Sequence, residues 1–195
     1  MEPNPRKTAT IRPLGKVDIA ALRAAVLAIP EAAWDEENAS KPNRFRALDA
    51  TRHVVFRFVS DTRDWRRSFD RPLWEAWRPL VEPVIAAAIA PYGYARVGLP
   101  RILLARMAPG GRIQPHRDEN PSAKWPHKVH VPLLTNPGVT FYVDRVGYHL
   151  PEGEAVEVNN MAEHAVWNAG DTDRIHLIFE CYDLDQPEPG WLAEA

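Results

Sequence analysis

The stretch Arg112-Ile113-Gln114-Pro115-His116-Arg117-Asp118 decides how the chain is organised. Side chains alternate between the two faces of a β-strand, so in a strand His116 and Asp118 leave on the same side. A neutral imidazole and a carboxylate on one face can hold a single ion together. Arg112 and Gln114 would share that face, which predicts a polar inner surface. The competing interpretation is a surface pair on an edge strand.

A second histidine is available from another part of the chain. Six of the seven histidines fall between positions 116 and 176, among short strand-like runs, and His164 is the candidate. Two histidines and one carboxylate suit Fe(II) and leave coordination positions open. The sequence therefore predicts a metal site made of His116, Asp118 and His164.

The composition is that of an ordinary soluble protein. The chain has 195 residues, 45% apolar and 26% charged, and is expected to form one domain. No apolar run approaches the ~18 residues that a membrane span needs, and the polar start predicts no secretory signal. The single cysteine, Cys181, fits a reducing compartment. We therefore expect a cytoplasmic protein without a membrane span.

The net charge bears on the expected partners of the protein, and its arginine content bears on the expected source. A net charge of −2 gives no general attraction to phosphate backbones, so nucleic acid is not an expected partner. A small molecule or a short peptide is the expected substrate, and nothing in the sequence indicates the oligomeric state. Arginine outnumbers lysine by 19 to 5, a bias typical of a GC-rich bacterial genome.

Residues 1–100 mix helical and strand patterns and carry no motif, so they are expected to cover the core. The predicted segments are an extended or frayed arm over 1–16, a helix from Asp18 to Ile29 ended by Pro30, a mixed polar region over 31–52, a strand over 51–59, a charged loop over 60–70 and a helix over 72–90. Pro79 and Pro83 are expected to break or kink the last helix.

After Pro100 the chain changes to short runs separated by turns rich in Gly, Pro and Asn. The runs are 101–107, 112–118, 128–134, 139–143, 146–150, 154–159, 163–167 and 174–183. Eight strands at spacings near ten residues predict a jelly roll of the kind that cupins use. We thus expect a mainly β fold with N-terminal helices, a core over 101–183 and a polar tail over 184–195.

Two of these strands begin with a cation followed two residues later by a histidine: Lys128 with His130, and Arg174 with His176. Such a pair can bind a carboxylate, for which the planar guanidinium of arginine is well shaped. The alternative for His130 and His176 is that each is a hydrogen-bonded core histidine.

Four ordered segments resemble the aspartyl/asparaginyl β-hydroxylase family of iron- and 2-oxoglutarate-dependent dioxygenases. They are Met107–Asp118, Lys128–Leu133, Asn159–Asn168 and Arg174–Phe179. The resemblance implies a double-stranded β-helix with Fe(II), 2-oxoglutarate and O₂ as cofactor and cosubstrates. It implies that His116 and His164 bind iron, that Arg174 pairs with the distal carboxylate of 2-oxoglutarate and that His130 helps to hold it.

The sequence departs from the family pattern at three positions. Family members that act on aspartyl residues have glycine where Asp118 stands, so the complete triad is more similar to bacterial relatives that hydroxylate free proline or lipid. Lys128 stands where arginine is common, and Ala105 where some members have serine. The substrate is therefore not carried over by the resemblance.

Hydroxylation of a small, carboxylate-bearing substrate is the expected reaction, on a free amino acid or on an Asp or Asn side chain of a peptide. Arg112 and Arg117 flank His116 and could pair with the substrate, and Trp125 and Arg57 are further candidates for lining its pocket. The alternatives are a lipid acyl-chain hydroxylase, a cupin-type metal-dependent isomerase or hydrolase, and a non-catalytic metal-stabilised binding module.

Overall fold

The structure is a computed structural model that describes residues 7–186. The ends of the predicted arm (1–6) and tail (187–195) lie outside the described residues. The helices are α1 (Ala20–Leu27), α2 (Glu31–Ala39), α3 (Trp74–Ile89) and α4 (Pro121–Lys124), with 3₁₀ turns at Arg46–Leu48 and Ala90–Tyr92. No helix in this part of the chain is both long and apolar enough to cross a membrane.

Twelve strands among these residues form two antiparallel sheets. The strands are β1 (Ile11–Lys16), β2 (Arg52–Asp61), β3 (Asp64–Asp70), β4 (Val97–Gly98), β5 (Ile102–Met107), β6 (Arg112–His116), β7 (His127–Leu134), β8 (Val139–Val143), β9 (Val146–Tyr148), β10 (Glu154–Val158), β11 (His164–Asn168) and β12 (Arg174–Asp183). The larger sheet has the order β1-β10-β7-β12-β5-β2-β3, with β4 on β12, and the smaller has the order β6-β11-β8-β9. All eight strands predicted after position 100 are present.

The central strands of the larger sheet are buried on both faces. Its outer face packs Leu104, Val131 and Leu177 against α1, α2 and α3, which contribute residues such as Leu22 and Trp34. Its inner face meets the smaller sheet in a second apolar cluster. The helices therefore cover the sheet from outside and leave the space between the two sheets for a site.

A register shift lies between β6 and β11, beside the predicted metal ligands. His116 pairs with His164, and Ile113 pairs with Val166. Between these two pairs, β6 therefore contains one more residue than β11. The prediction that Arg112 and Gln114 share the inner face with His116 is wrong. The shift instead places buried Ile113 inside and exposes both polar residues.

Tertiary contacts override several local patterns in the N-terminal part. Residues 11–16 are not a frayed arm, because β1 pairs with β10. The polar region contains α2, whose Trp34 is buried, and the charged loop contains β3, which forms a hairpin with β2. The long helix α3 is continuous through Pro79 and Pro83, since both prolines lie on its exposed face while Val81 and Ile85 anchor the opposite face.

Candidate metal centre and cosubstrate pocket

Three side chains converge between the two sheets. One ligand atom each from His116, Asp118 and His164 lie within 4.8 Å of one another. The two histidines face each other across β6 and β11, with ring centroids 4.3 Å apart. Asp118 lies just beyond the end of β6, and its Oδ1 is 3.9 Å from Nε2 of His116.

Each histidine is held by the carbonyl oxygen two residues before it. Nδ1 of His116 is 2.8 Å from the oxygen of Gln114, and Nδ1 of His164 is 3.1 Å from that of Ala162. A carbonyl only accepts, so in the neutral rings Nδ1 carries the proton and Nε2 keeps its lone pair. Both histidines are thus oriented to offer Nε2 to one ion, the arrangement that metal-binding histidines usually have.

The two oxygens of Asp118 differ in their surroundings. Oδ2 accepts hydrogen bonds from Nζ of Lys128 and, at 3.1 Å, from Nδ2 of Asn160. Oδ1 is the oxygen directed toward His116. The carboxylate is therefore arranged to donate one oxygen to a metal while the other is held by the protein.

The protonation states fit this role. Burial, the largest single effect, raises the pKa of Asp118, but the charge and hydrogen bond of Lys128 together with His164 and Asn160 hold that pKa well below its usual range. Burial lowers the pKa of His164 to about 4, against the opposing effect of Asp118. At neutral pH the carboxylate is charged and this imidazole neutral, which are the forms that bind metals. Two imidazoles and one carboxylate fit Fe(II) by their chemistry.

Arg174 is a buried cation on the wall of the same pocket. It is 1% exposed, and burial lowers its pKa to about 9, so it stays charged at neutral pH. Its Nη2 donates to Nδ1 of His176 at 2.7 Å, and its Nε has no partner among the residues that the structure describes. Among residues 7–186, no carboxylate forms a salt bridge with it.

His130 and His176 form a neutral pair next to this guanidinium. Their Nδ1 atoms are 3.4 Å apart, and burial, followed by the charge of Arg174, lowers both pKa values well below the usual range. Since Arg174 can only donate, Nδ1 of His176 accepts and its proton lies on Nε2, which is buried without a partner in the described part of the chain. His130 lines the pocket and packs edge-on against Phe141.

The pocket beside the triad has an empty volume of about 890 Å³, including its open mouth. The wall contains all three triad residues together with Lys128, His130 and Arg174. The structure thus brings together the predicted metal residues and three of the four predicted cosubstrate residues, with His176 directly behind.

The four residues predicted to contact substrate do not line this pocket. Arg112 lies over the ring of Trp167 on the outer face of the smaller sheet, and Arg57 is paired with Asp70. Arg117 is exposed and directs Nη1 toward the oxygen of Met161, 3.4 Å away. Trp125 is 7% exposed and buried outside the wall.

A second charged group on the wall was missed by sequence reasoning. Arg101 forms a buried ion pair with Glu180 and donates from Nη2 to Oγ of Ser122 at 2.5 Å. The other oxygen of Glu180 is 3.9 Å from Nζ of Lys128, which also pairs with Asp118. Arg101 and Asp118 are therefore linked by consecutive ion pairs through Glu180 and Lys128. The position of Glu180, on the same face of β12 as Arg174, was the one available signal.

A neutral polar cluster from the N-terminal part also reaches the wall. Thr51 donates to the carbonyl of Leu48 at 2.7 Å, so its hydroxyl oxygen accepts from Nε2 of His53 at 2.9 Å. Nδ1 of His53 then accepts from Nδ2 of Asn43 at 2.7 Å. Within the described residues, Oδ1 of Asn43 is left without a partner. No sequence motif joins these residues, so no pattern could have indicated them.

The family model of aspartyl/asparaginyl β-hydroxylases matches residues 84–183. The chain belongs to this family. It is an enzyme of the Fe(II)- and 2-oxoglutarate-dependent dioxygenase class. This assignment replaces the cupin-type isomerase or hydrolase and the non-catalytic module as interpretations. No curated protein sequence matches the chain.

Solved structures of similar fold support the architecture. A 2OG-Fe(II) oxygenase family protein from Burkholderia pseudomallei is 16% identical over 85% of this chain and 90% of its own, with a TM-score of 0.53. The non-heme alpha-ketoglutarate-dependent epimerase SnoN of nogalamycin biosynthesis is 14% identical over 94% and 83%, with a TM-score of 0.56. The predicted double-stranded β-helix, or jelly roll, is confirmed.

Proposed function

We propose that this dioxygenase binds Fe(II) through His116, Asp118 and His164, uses 2-oxoglutarate and O₂, and hydroxylates a C–H bond of a small carboxylate-bearing substrate. The substrate is a free amino acid or an Asp or Asn side chain of a peptide. The whole of residues 1–195 serves this reaction as one domain, with residues 1–100 covering the core over 101–183.

The guanidinium of Arg174, which has no carboxylate partner among residues 7–186, is the observation that carries the 2-oxoglutarate assignment. A buried charge without a partner is costly, so a site that keeps one is built for a ligand of opposite charge. Arg174 shares its pocket with the metal triad. A dicarboxylate can therefore reach the metal with one end and the guanidinium with the other.

The protein's part in the reaction is to bind and orient. The iron, when bound, supplies the oxidation chemistry in which 2-oxoglutarate and O₂ become succinate and CO₂ and one oxygen atom enters the substrate C–H bond. The carbonyls of Gln114 and Ala162 aim the two imidazoles, and Lys128 with Asn160 orients Asp118.

The charged wall supports a polar substrate over a lipid. Five charged side chains line the pocket: Arg101, Asp118, Lys128, Arg174 and Glu180. An acyl chain would have to lie against these groups, which is unfavourable. The apolar residues Phe58, Leu103 and Ile178 can contact an aliphatic carbon. The substrate carboxylate is expected to pair with Arg101 or Lys128, instead of the exposed Arg112 and Arg117.

The test is turnover against a substrate panel. The protein is incubated with Fe(II), 2-oxoglutarate and air in the presence of free amino acids, Asp- and Asn-containing peptides or fatty acyl substrates. Succinate and the oxygenated product are measured by mass spectrometry. Substrate-dependent succinate with one added oxygen on an amino acid or peptide supports the proposal, whereas hydroxylation confined to acyl substrates refutes the substrate assignment.

A further inference from the structure

The turn over residues 159–162, between β10 and β11, contacts two of the three proposed metal ligands. Ala162 accepts a hydrogen bond from His164, and the carbonyl oxygen of Asn160 accepts one from the amide of Asp118 at 3.0 Å. Nδ2 of Asn160 also donates to Oδ2 of Asp118. Because Asp118 lies beyond the end of β6, this turn, more than the strand, sets the position of its carboxylate.

The N-terminal segment over residues 7–10 is bonded along this turn. The backbone amide of Asn159 donates to the oxygen of Thr10 at 2.8 Å, and its Nδ2 donates to the oxygen of Ala9 at 3.0 Å. The hydroxyl of Tyr148 donates to Oγ1 of Thr10 at 3.1 Å. The segment therefore lies against the turn before the chain enters β1.

At the start of this segment, the ammonium of Lys7 reaches Asn160. Nζ donates to Oδ1 of Asn160 at 2.6 Å, and to the backbone oxygens of Pro126 and Ala123 at 2.5 and 3.4 Å. These contacts use all three protons of the ammonium. Lysine is seldom buried unless its ammonium is paired, and the half-buried Lys7 ends on three acceptors.

Lys7 and two acceptors on the opposite side together determine which way the Asn160 amide faces. An ammonium can only donate, so the amide oxygen must face Lys7 and the NH₂ group must face the other side. That side holds Oδ2 of Asp118 and the oxygen of Ala123, both acceptors. A reversed amide would direct an oxygen at the carboxylate, and Asn160, which is fully buried, has no water to relieve the conflict.

We propose that Lys7 is a positioning residue of the metal centre, which acts through the Asn160 amide to orient the Asp118 carboxylate. The inference rests on the proposed function, because it takes Asp118 as a metal ligand. It makes the N-terminal segment part of a site whose ligands lie more than 100 positions away in the sequence.

The test measures metal binding to the full chain without turnover. Mn(II) affinity is determined by calorimetry, and the absorption spectrum of the Co(II)-loaded protein reports coordination geometry. Lys7→Met keeps the methylene chain and removes the donors. It is expected to raise the Mn(II) Kd by roughly tenfold, as loss of a group supporting a ligand commonly does, and to change the Co(II) spectrum. The matched control is Lys16→Met, which removes an exposed lysine from β1 and should change neither.

Unchanged affinity and an unchanged Co(II) spectrum in folded Lys7→Met overturn the inference. If that variant does not fold, Asn160→Asp provides the test, because it keeps the acceptor for Lys7 and replaces the donor facing Asp118 by an oxygen. It is expected to lose at least as much affinity, and wild-type affinity there also overturns the inference. A wild-type protein that binds no Mn(II) or Co(II) contradicts the proposed function itself, which separates the two failures.

Discussion

Nη2 of Arg174 donates a hydrogen bond to Nδ1 of His176 over 2.7 Å. The acceptor is a neutral ring, so the pairing orients the guanidinium without cancelling its charge. Nδ1 of His176 in turn lies 3.4 Å from Nδ1 of His130 on the neighbouring strand β7. The relationship leaves Arg174 positioned and uncompensated, as a binding site for a carboxylate requires.

Replacing Arg174 by methionine should therefore selectively weaken the binding of 2-oxoglutarate. A charge-assisted pair contributes on the order of 1.5–3 kcal/mol, so the KM for 2-oxoglutarate should rise roughly tenfold or more, while the KM for the substrate changes little. Initial rates at varied cosubstrate measure this. Arg63→Met, which removes an exposed arginine from the β2–β3 hairpin, is the control. A raised KM for the substrate with an unchanged KM for 2-oxoglutarate would instead place Arg174 in the substrate pocket.

The buried pair of Arg101 and Glu180 should be costly to break. Glu180→Gln leaves the guanidinium without its counter-charge in a site where the two side chains are 10% and 2% exposed. The free energy of unfolding should fall by about 3 kcal/mol, measured by urea denaturation. The double variant Arg101→Met/Glu180→Met should recover most of the loss. A loss of under about 1 kcal/mol in Glu180→Gln would show that the pair is well hydrated.

The stability of the protein should depend on pH through His53. Burial lowers the pKa of His53 to about 3, whereas the unfolded chain titrates near 6.5. Between these values the unfolded state binds a proton that the folded state does not, so stability falls as the pH drops below about 6.5. Each such group contributes up to about 1.4 kcal/mol per pH unit. Unfolding measured from pH 7 to 5 should show a shallower slope in His53→Gln than in the exposed control His149→Gln, and equal slopes would contradict the assignment.

The sequence predicted the β-rich half of the fold because its signals are local. Alternation and turn residues mark every strand from β5 to β12, and the spacing of His116, Asp118 and His164 identified residues that the structure brings together. Elements that depend on distant partners were missed. β1 needs β10 to become a strand, and α2 needs the sheet that buries Trp34.

The residues around the ligands could not be predicted for the same reason. One extra residue in β6 exchanged the faces of Arg112 and Ile113, and strand periodicity alone cannot reveal such a shift. Lys7 and Arg101 reach the site through tertiary contacts with no fixed spacing to the histidines. The sequence indicated which residues could be metal ligands, but it did not indicate the groups that orient them.

Removing the carboxylate ligand should be milder than removing a histidine. Asp118→Gly leaves both Nε2 atoms in place, and a water molecule can occupy the vacated position. Metal binding should weaken but remain measurable by calorimetry, and some succinate should still form. If Asp118→Gly abolished metal binding and succinate formation as completely as His164→Ala, the carboxylate would be indispensable in this chain.

The metal centre is tested most directly by titrating Mn(II), a redox-stable substitute for Fe(II), into the wild-type protein and into His116→Ala and His164→Ala. Each variant removes one Nε2 donor and leaves an incomplete ligand set. The expected result is one ion per wild-type chain and greatly weakened or undetectable binding in both variants, with the fold retained. Wild-type affinity in both variants would contradict the assignment.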